Sequence, residues 1–242
     1  MKLEQYFAKN SHFLFFSDLS KITNKEKFLI TIKEIETLIK KLKRKNKNII
    51  LPTYNLFFPQ TKFTDFSNNN ITTGYLNKYL TNKFKFKRTK RPIYNYAVLG
   101  PDKQNIIKCK QTTAWGEDSV LKYLIEKDTI GVGINIDVSK FNWMVIHYLE
   151  EKYKVPYRFY KTFNGYNKML KKKVSEKMYV RRLKPKTIES YTLVRNMRKT
   201  GNIKEKNFKD TNFSFINLNT YYKLGSQKIK KNILYFCKYE KK

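Results

Sequence analysis

Two short apolar runs bracketing one long amphipathic pattern constrain this chain more than any other feature. His12–Phe16 is apolar after its histidine and ends in Ser17-Asp18-Leu19-Ser20. Thr23-x-x-Glu26 reads as a capping box, in which hydroxyl and carboxylate satisfy backbone N–H groups at a helix start. Behind it Phe28, Ile32, Ile35, Ile39 and Leu42 make one stripe, predicting a helix to about Lys45 that lies on a sheet. Its far face is lysine-rich and ends in Lys40–Lys47, where cations suit the negative pole of the helix. Asn48–Tyr54, NIILPTY, is then a buried strand. Strand, helix and strand at this spacing argue a βαβ unit. The fold class that follows is α/β: a layered α/β/α sandwich with a mostly parallel central sheet.

A second strand–helix passage lies at Ile130–Glu151, IGVGINIDVSKFNWMVIHYLEE. Ile130, Val132 and Ile134 alternate with Gly131 and Gly133, glycines that admit another backbone or a ligand at close range. A helix opening near Phe141 and running to Lys154 places Val145 and Leu149 four apart, with His147 and Glu150 three apart on one face. Ligands in open α/β sheets gather beyond the carboxyl ends of strands, so this helix would line a crevice. A histidine flanking the core has the same spacing. An imidazole beside a carboxylate is also what proton abstraction near neutral pH requires.

At 242 residues the chain suits one domain spanning 1–242, and 40% hydrophobic with 16% aromatic residues excludes wholesale disorder. No apolar run is long enough to cross a bilayer, and MKLEQYFAKN is no signal peptide. Cys109 and Cys237 have neither metal nor redox spacing, which fits a reducing cytoplasm and no metal. Charge is the outlier: 52 basic against 19 acidic residues, net +33. Residues 151–242 alone hold 26 Lys and Arg against 6 acids. Nucleic acid is the first partner such a balance suggests. Yet the lysines are scattered among Asn, Ile, Tyr and Phe, and no element shows a regular alternation of cations and aromatics. The charge favours an anionic small molecule over a polycation.

A series of short motifs gives the chain a likeness. Gly74-Tyr75-Leu76 is followed by Arg88-Thr89 and Pro92, then an apolar strand, Tyr94–Leu99, ending in Gly100-Pro101. Gly116-x-x-Ser119 opens a helix to Lys127, and the strand from Ile130 leads to His147-x-x-Glu150. In order and spacing this run, over about residues 10–165, resembles the aminoglycoside 3-N-acetyltransferase family. The likeness fades in the basic tail at 166–242, where Tyr179–Arg182, Ile188–Leu193 and Ile233–Cys237 suggest strands.

The resemblance implies acetyl transfer from acetyl-CoA to an amine, with His147 as general base and either Glu150 or Asp65 as its carboxylate partner. Asp65 sits where many relatives carry a Phe-Asp element, in the long loop 55–73. The resemblance also places Ser17, Ser20, Arg88, Thr89 and Ser119 along a coenzyme A cleft, with Arg88 on a phosphate. Departures are several. Phe16 stands where the family has His, and Phe141 and Met144 where it has Asp and Thr. The family's His-Pro-Thr-His-Ser reads Arg91-Pro92-Ile93-Tyr94-Asn95. With a net charge of +33, the acceptor expected is a nucleotide-linked amino sugar. The alternatives are an aminoglycoside or, in another class, a non-enzymatic basic module that binds nucleic acid or acidic polysaccharide.

Overall fold

The fold, seen in a computed structural model, is described for residues 4–20, 22–67, 70–209 and 211–240. Along the chain run α1 (Glu4–Ala8), β1 (His12–Ser17), α2 (Lys25–Arg44), β2 (Asn48–Pro52), α3 (Phe58–Thr61), β3 (Phe63–Thr64) and α4 (Tyr75–Lys83). Next come β4 (Lys87–Arg88), β5 (Tyr96–Leu99), α5 (Lys103–Ile107), α6 (Val120–Glu126), β6 (Ile130–Ile134), a 3-10 turn (Val138–Lys140) and α7 (Val145–Lys152). The remainder holds β7 (Arg158–Asn167), β8 (Lys172–Arg181), β9 (Thr187–Glu189), α8 (Thr192–Lys199), β10 (Ile203–Phe208), β11 (Thr211–Asn217), α9 (Leu218–Lys231) and β12 (Cys237–Tyr239).

β6, β1 and β2 lie parallel, with Leu14 of β1 opposite both Gly131 and Ile50. β11 and β10 extend this trio antiparallel on one side, β5 and β4 on the other, in the order β10-β11-β6-β1-β2-β5-β4. The protein is α/β and layered, as the first βαβ unit implies. The sheet is mixed, however, and not mostly parallel. Only two residues join β10 to β11, and a loop that short can connect only antiparallel neighbours.

Alternation along β1 sets the two layers. Phe13 and Phe15 pack with Ile32, Ile35, Ile39 and Leu42 of α2 and with Leu76 and Leu80 of α4. Leu14 and Phe16 belong to the opposite core, with buried residues of α6, α7, α8 and α9. The cap of α2 is one residue away from the expected box. Asn24, not Thr23, is the extended cap, and its side chain accepts from Lys27 N. Asn satisfies the orphan N–H as well as Thr does. The glycines of β6 admit protein and no ligand: a Cβ on Gly131 would lie 2.5 Å from Trp143, and one on Gly133 2.3 Å from Ser214 Oγ.

α7 begins four residues later than its pattern suggests. The intervening 138–140 turn is held by the Asp137 carboxylate, which accepts from Ser139 N and Oγ. In the tail, Tyr179 and its neighbours fall in β8, which pairs antiparallel with β7 over their whole ten-residue length. Ile188–Leu193 divides between β9 and the start of α8, and only Cys237 of the last apolar run is in β12. Among the described residues no helix is long and apolar enough to cross a membrane.

One of the two histidines is a brace. His12, buried at the start of β1, has Nε2 2.7 Å from Asp102 Oδ2 and 3.2 Å from Asn48 Nδ2, and its Nδ1 lies 2.8 Å from Ser11 Oγ. Tyr123 donates to the same Asp102 oxygen at 2.6 Å. Burial alone would raise the Asp102 pKa, but the hydrogen bonds from Tyr123, His12 and Asn105 outweigh it and hold the carboxyl below its ordinary value. Both imidazole nitrogens are therefore engaged, at the amino end of β1 and away from the crevice end.

Candidate active site

α7 is anchored through Val145, Ile146 and Leu149, which are buried in the core that also holds Trp143. This rotation leaves His147 on the flank, with 24% of its side chain exposed. Its Nδ1 lies 3.2 Å from Glu150 Oε2 and 3.2 Å from Arg158 Nη2. Arg158, which opens β7, forms an ion pair with the same Glu150 oxygen at 2.8 Å and donates through Nη1 to Tyr179 O at 3.0 Å. Tyr157 OH donates to the other oxygen of Glu150 at 3.0 Å. Glu150 is fully buried. Burial alone would raise its pKa, but the His147 hydrogen bond, the Arg158 charge and Tyr157 together hold it below its ordinary value.

The other side of the imidazole is aromatic. Trp115 lies 5.2 Å away, centroid to centroid, and packs in turn on Tyr94 at 4.3 Å. The backbone beneath Tyr94 is fixed from β8, because buried Glu176 accepts from Ile93 N at 2.6 Å and Tyr94 N at 3.2 Å. His147 Nε2 has no hydrogen-bond partner among the described residues. The geometry therefore offers one imidazole nitrogen to a buried carboxylate–guanidinium pair and leaves the other available. Glu150 Oε2 can only accept and Arg158 Nη2 can only donate, so Nδ1 bonds to one of them at a time. In the tautomer that donates Nδ1–H to Glu150, with Arg158 turned to the carboxylate, Nε2 is the lone-pair nitrogen that a general base needs. Arg158 neutralises much of the Glu150 charge, so Glu150 orients the ring more than it charges it.

Of the expected carboxylates, Glu150 contacts His147 and Asp65 does not. Asp65 is held by its own loop, accepting from Ser67 N at 2.7 Å and Asn70 Nδ2 at 2.6 Å. The strand before it, β3, pairs with Tyr166 and Asn167 at the end of β7 opposite to Arg158. Asn68 and Asn69 of this loop lie outside the described residues.

The expected cofactor residues divide. Ser17 and Ser20 stand at the carboxyl end of β1, where Ser20 Oγ donates to Asp18 Oδ1 at 2.5 Å. Ser119 is buried and caps α6 by accepting from Lys122 N. Thr89 is buried too, its hydroxyl accepting from Tyr96 N at 2.9 Å. Arg88 departs from its expected phosphate role. Nη1 donates to Phe66 O at 3.0 Å and Ser67 O at 2.5 Å, Nη2 to Thr53 O at 2.9 Å and to Asn95 Oδ1, and Nε to Asn95 Oδ1 at 3.0 Å. All five N–H groups of the guanidinium are thereby spent. Burial pulls its pKa down to about 10, against the Asp65 charge. Arg88→Ala is therefore expected to destabilise the fold by roughly 2–4 kcal/mol, since several carbonyls lose their donor, without a selective rise in acetyl-CoA KM. Denaturant unfolding beside saturation kinetics checks this.

Two departures from the family pattern meet in space. Phe16 packs edge-on against Phe141 at 5.4 Å and Trp143 at 5.5 Å, and Phe141 lies 5.2 Å from Trp143. A polar pair in relatives is thus an apolar cluster here, and neither member can relay a proton. Arg158, Tyr157, Trp115 and Glu176 were not apparent as site residues. Trp115 alone had a local signal, its place directly before the Gly116-x-x-Ser119 turn.

Comparison with known proteins bears on the fold and the family. AAC(3)-IVa, an aminoglycoside acetyltransferase solved as the apoenzyme, superposes with a TM-score of 0.70 at 15% identity, covering 93% of this chain and 84% of that one. AAC-VIa with bound sisomicin gives 0.71 at 12%, covering 95% of each. YokD from Bacillus subtilis gives 0.64 at 14%, covering 95% and 96%. At such identities the likeness is one of fold. No curated protein matches the chain in sequence. The family model described as aminoglycoside 3-N-acetyltransferase matches residues 43–230, more than three quarters of the chain. The chain therefore belongs to the aminoglycoside 3-N-acetyltransferase family, whose members are acetyl-CoA-dependent N-acetyltransferases.

Proposed function

We propose that this protein transfers the acetyl group of acetyl-CoA to an amino group of an aminoglycoside-type amino sugar, with His147 as general base. The observation that carries the reading is the His147–Glu150–Arg158 arrangement, with Nδ1 engaged and Nε2 without a partner. An ammonium group has no lone pair, so Nε2 would take its proton before the C–N bond forms. The C–S bond would then break and coenzyme A would leave as the thiol, taking up the proton that the imidazolium returns. Glu150 fixes the ring orientation and offsets the charge of the imidazolium. Trp115 holds the ring face, and Arg158 and Tyr157 hold Glu150.

When bound, acetyl-CoA supplies the thioester carbonyl that the amine attacks. Its phosphates suit a groove of about 550 Å³ between the 138–140 turn and α8, lined by Ser139, Arg195, Arg198 and Lys199. Arg88, with its donors spent, does not serve them. Ser17 and Ser20, at and just beyond the end of β1, would meet the pantetheine amides.

The nucleotide-linked acceptor inferred from overall charge gives way to an amino sugar with several amines. A net charge of +33 describes the surface as a whole and not the site, where Glu117, Glu150 and Glu176 are each matched by a cation, Lys152, Arg158 and Arg91. Relatives of the same fold were solved with sisomicin and apramycin, which are polyamines. The non-enzymatic basic module is set aside by membership in an enzyme family. Thiol release from acetyl-CoA, followed with sisomicin and with a nucleotide-linked amino sugar, tests the reading. Faster turnover of sisomicin is expected, and faster turnover of the sugar nucleotide overturns it.

A further inference from the structure

We propose that the outward face of the small β3-β7-β8 sheet binds single-stranded nucleic acid, its exposed rings stacking on bases and its lysines meeting phosphates. This adds a polyanionic partner to the enzyme and does not depend on which acceptor the active site takes. Local charge is the first observation behind it. Residues 158–181 hold eight Lys and Arg against one acid, Glu176, which is buried and turned inward onto Ile93 N and Tyr94 N.

Neither strand alternates cations with aromatics along its own length; strand pairing assembles that pattern. Side chains two apart on a strand share a face, and paired residues point the same way. Tyr160, Thr162 and Tyr166 of β7 therefore stand beside Tyr179, Lys177 and Lys173 of β8. Phe63 of β3, paired with Tyr166, widens the row. Phe163 and Val174, at the intervening positions, pack on the core, so the first set looks outward. Of that set only Tyr179 is covered. From Tyr160 to Tyr166 the row runs about 20 Å, enough for a short single strand.

Phe63 is 49% exposed, and Tyr160 and Tyr166 are 38% exposed each. Every base has a π-face, so such rings hold a single strand whatever its sequence. The cations of the row are not neutralised by carboxylates. Lys177 Nζ lies 4.7 Å from the centre of the Tyr160 ring and Lys168 Nζ 4.8 Å from that of Phe63. Lys168, Lys173 and Lys177 form no ion pair among the described residues, which leaves their charge for phosphates. Asn164 and Ser175, paired between the two ends of the row, are exposed and suited to sugar and phosphate oxygens. The acid nearest the row, Glu151, accepts from Tyr160 OH at 3.3 Å and is itself buried. A lipid surface fits less well, because the row presents flat rings and no aliphatic side chain.

The test is fluorescence anisotropy of a labelled oligothymidylate titrated with the full chain, with circular dichroism as the control for folding. Binding is expected at low salt and should weaken steeply as salt is added. Tyr166→Leu and Phe63→Leu keep the charge, and each is expected to weaken binding about fivefold or more, the scale of one stacked base. Binding of inorganic polyphosphate, which has no bases, should not change in either. Lys173→Gln with Lys177→Gln should lower the slope of log affinity against log salt by about 1.4, the share of two phosphates. Lys228→Gln with Lys230→Gln removes the same charge on α9 and should leave that slope nearly as it was. Absence of binding at low salt, equal effects of the two lysine pairs, or leucine variants that bind the strand as wild type does overturn the proposal. Tighter binding to phosphatidylserine vesicles than to the strand also overturns it. If the leucine variants do not fold, the two lysine pairs decide.

Discussion

His147→Asn is expected to lower kcat by about 10²–10⁴-fold, the usual scale of a general base, while fold and acetyl-CoA affinity persist. The imidazole is partly exposed and packs only its face on Trp115, so asparagine fits without opening a core cavity. What disappears is the lone pair at Nε2, and with it the route by which the ammonium loses its proton. Circular dichroism and acetyl-CoA titration establish that the variant is folded and loaded. A kcat within about threefold of wild type would make His147 a structural residue.

Glu150→Gln should show the largest stability effect of any isosteric change in the site. Its partner Arg158 is 9% exposed, so removing the carboxylate leaves a buried guanidinium without an anion, at a cost of about 3–5 kcal/mol. The sign of the pH dependence follows from the depressed Glu150 pKa. A carboxyl held below its unfolded value contributes stability that is present above that value, about 4.3 for Glu, and lost as pH falls through the folded one. The gap between wild type and Glu150→Gln in urea unfolding should therefore be full at neutral pH and narrow under strong acid. A gap that stays constant into strong acid would mean that charge is not the source. Activity should fall as well, but less than in His147→Asn, because Nε2 survives and only its orientation is lost.

His147 and Glu150 were legible together because helical spacing alone puts positions three apart on one face. The parallel pairing of β1 with β2 was equally legible, since α2 between two apolar strands leaves little choice but a parallel crossover, whereas nothing in the sequence placed β6 on the other side of β1. Arg158 was not. It reaches Glu150 from a different element, and nothing in the sequence next to Val155-Pro156 reports which way that strand turns. β7 also hides itself: Phe159, Tyr160, Lys161 and Thr162 are all exposed, so it lacks the alternation by which a half-buried strand is recognised. Arg88 shows the opposite failure. A guanidinium in a basic segment suits a phosphate, but its chemistry alone cannot tell that Phe66, Ser67, Thr53 and Asn95 will take every donor first.

The outermost strands bear on how copies of this chain meet in a crowded solution. β8 is the last strand of its sheet and carries Lys172, Lys173, Lys177 and Arg181. β10 ends one side of the large sheet with Lys204 and Lys206, and β4 ends the other with Lys87. An unpaired strand edge is a template on which another chain can add its own backbone, and cations along it make that approach repulsive. Two molecules aligning such borders would bring like charges together at spacings of about 5 Å, inside the screening length of physiological salt. Part of the lysine surplus therefore guards against fibrous self-association, and adding salt removes that guard first.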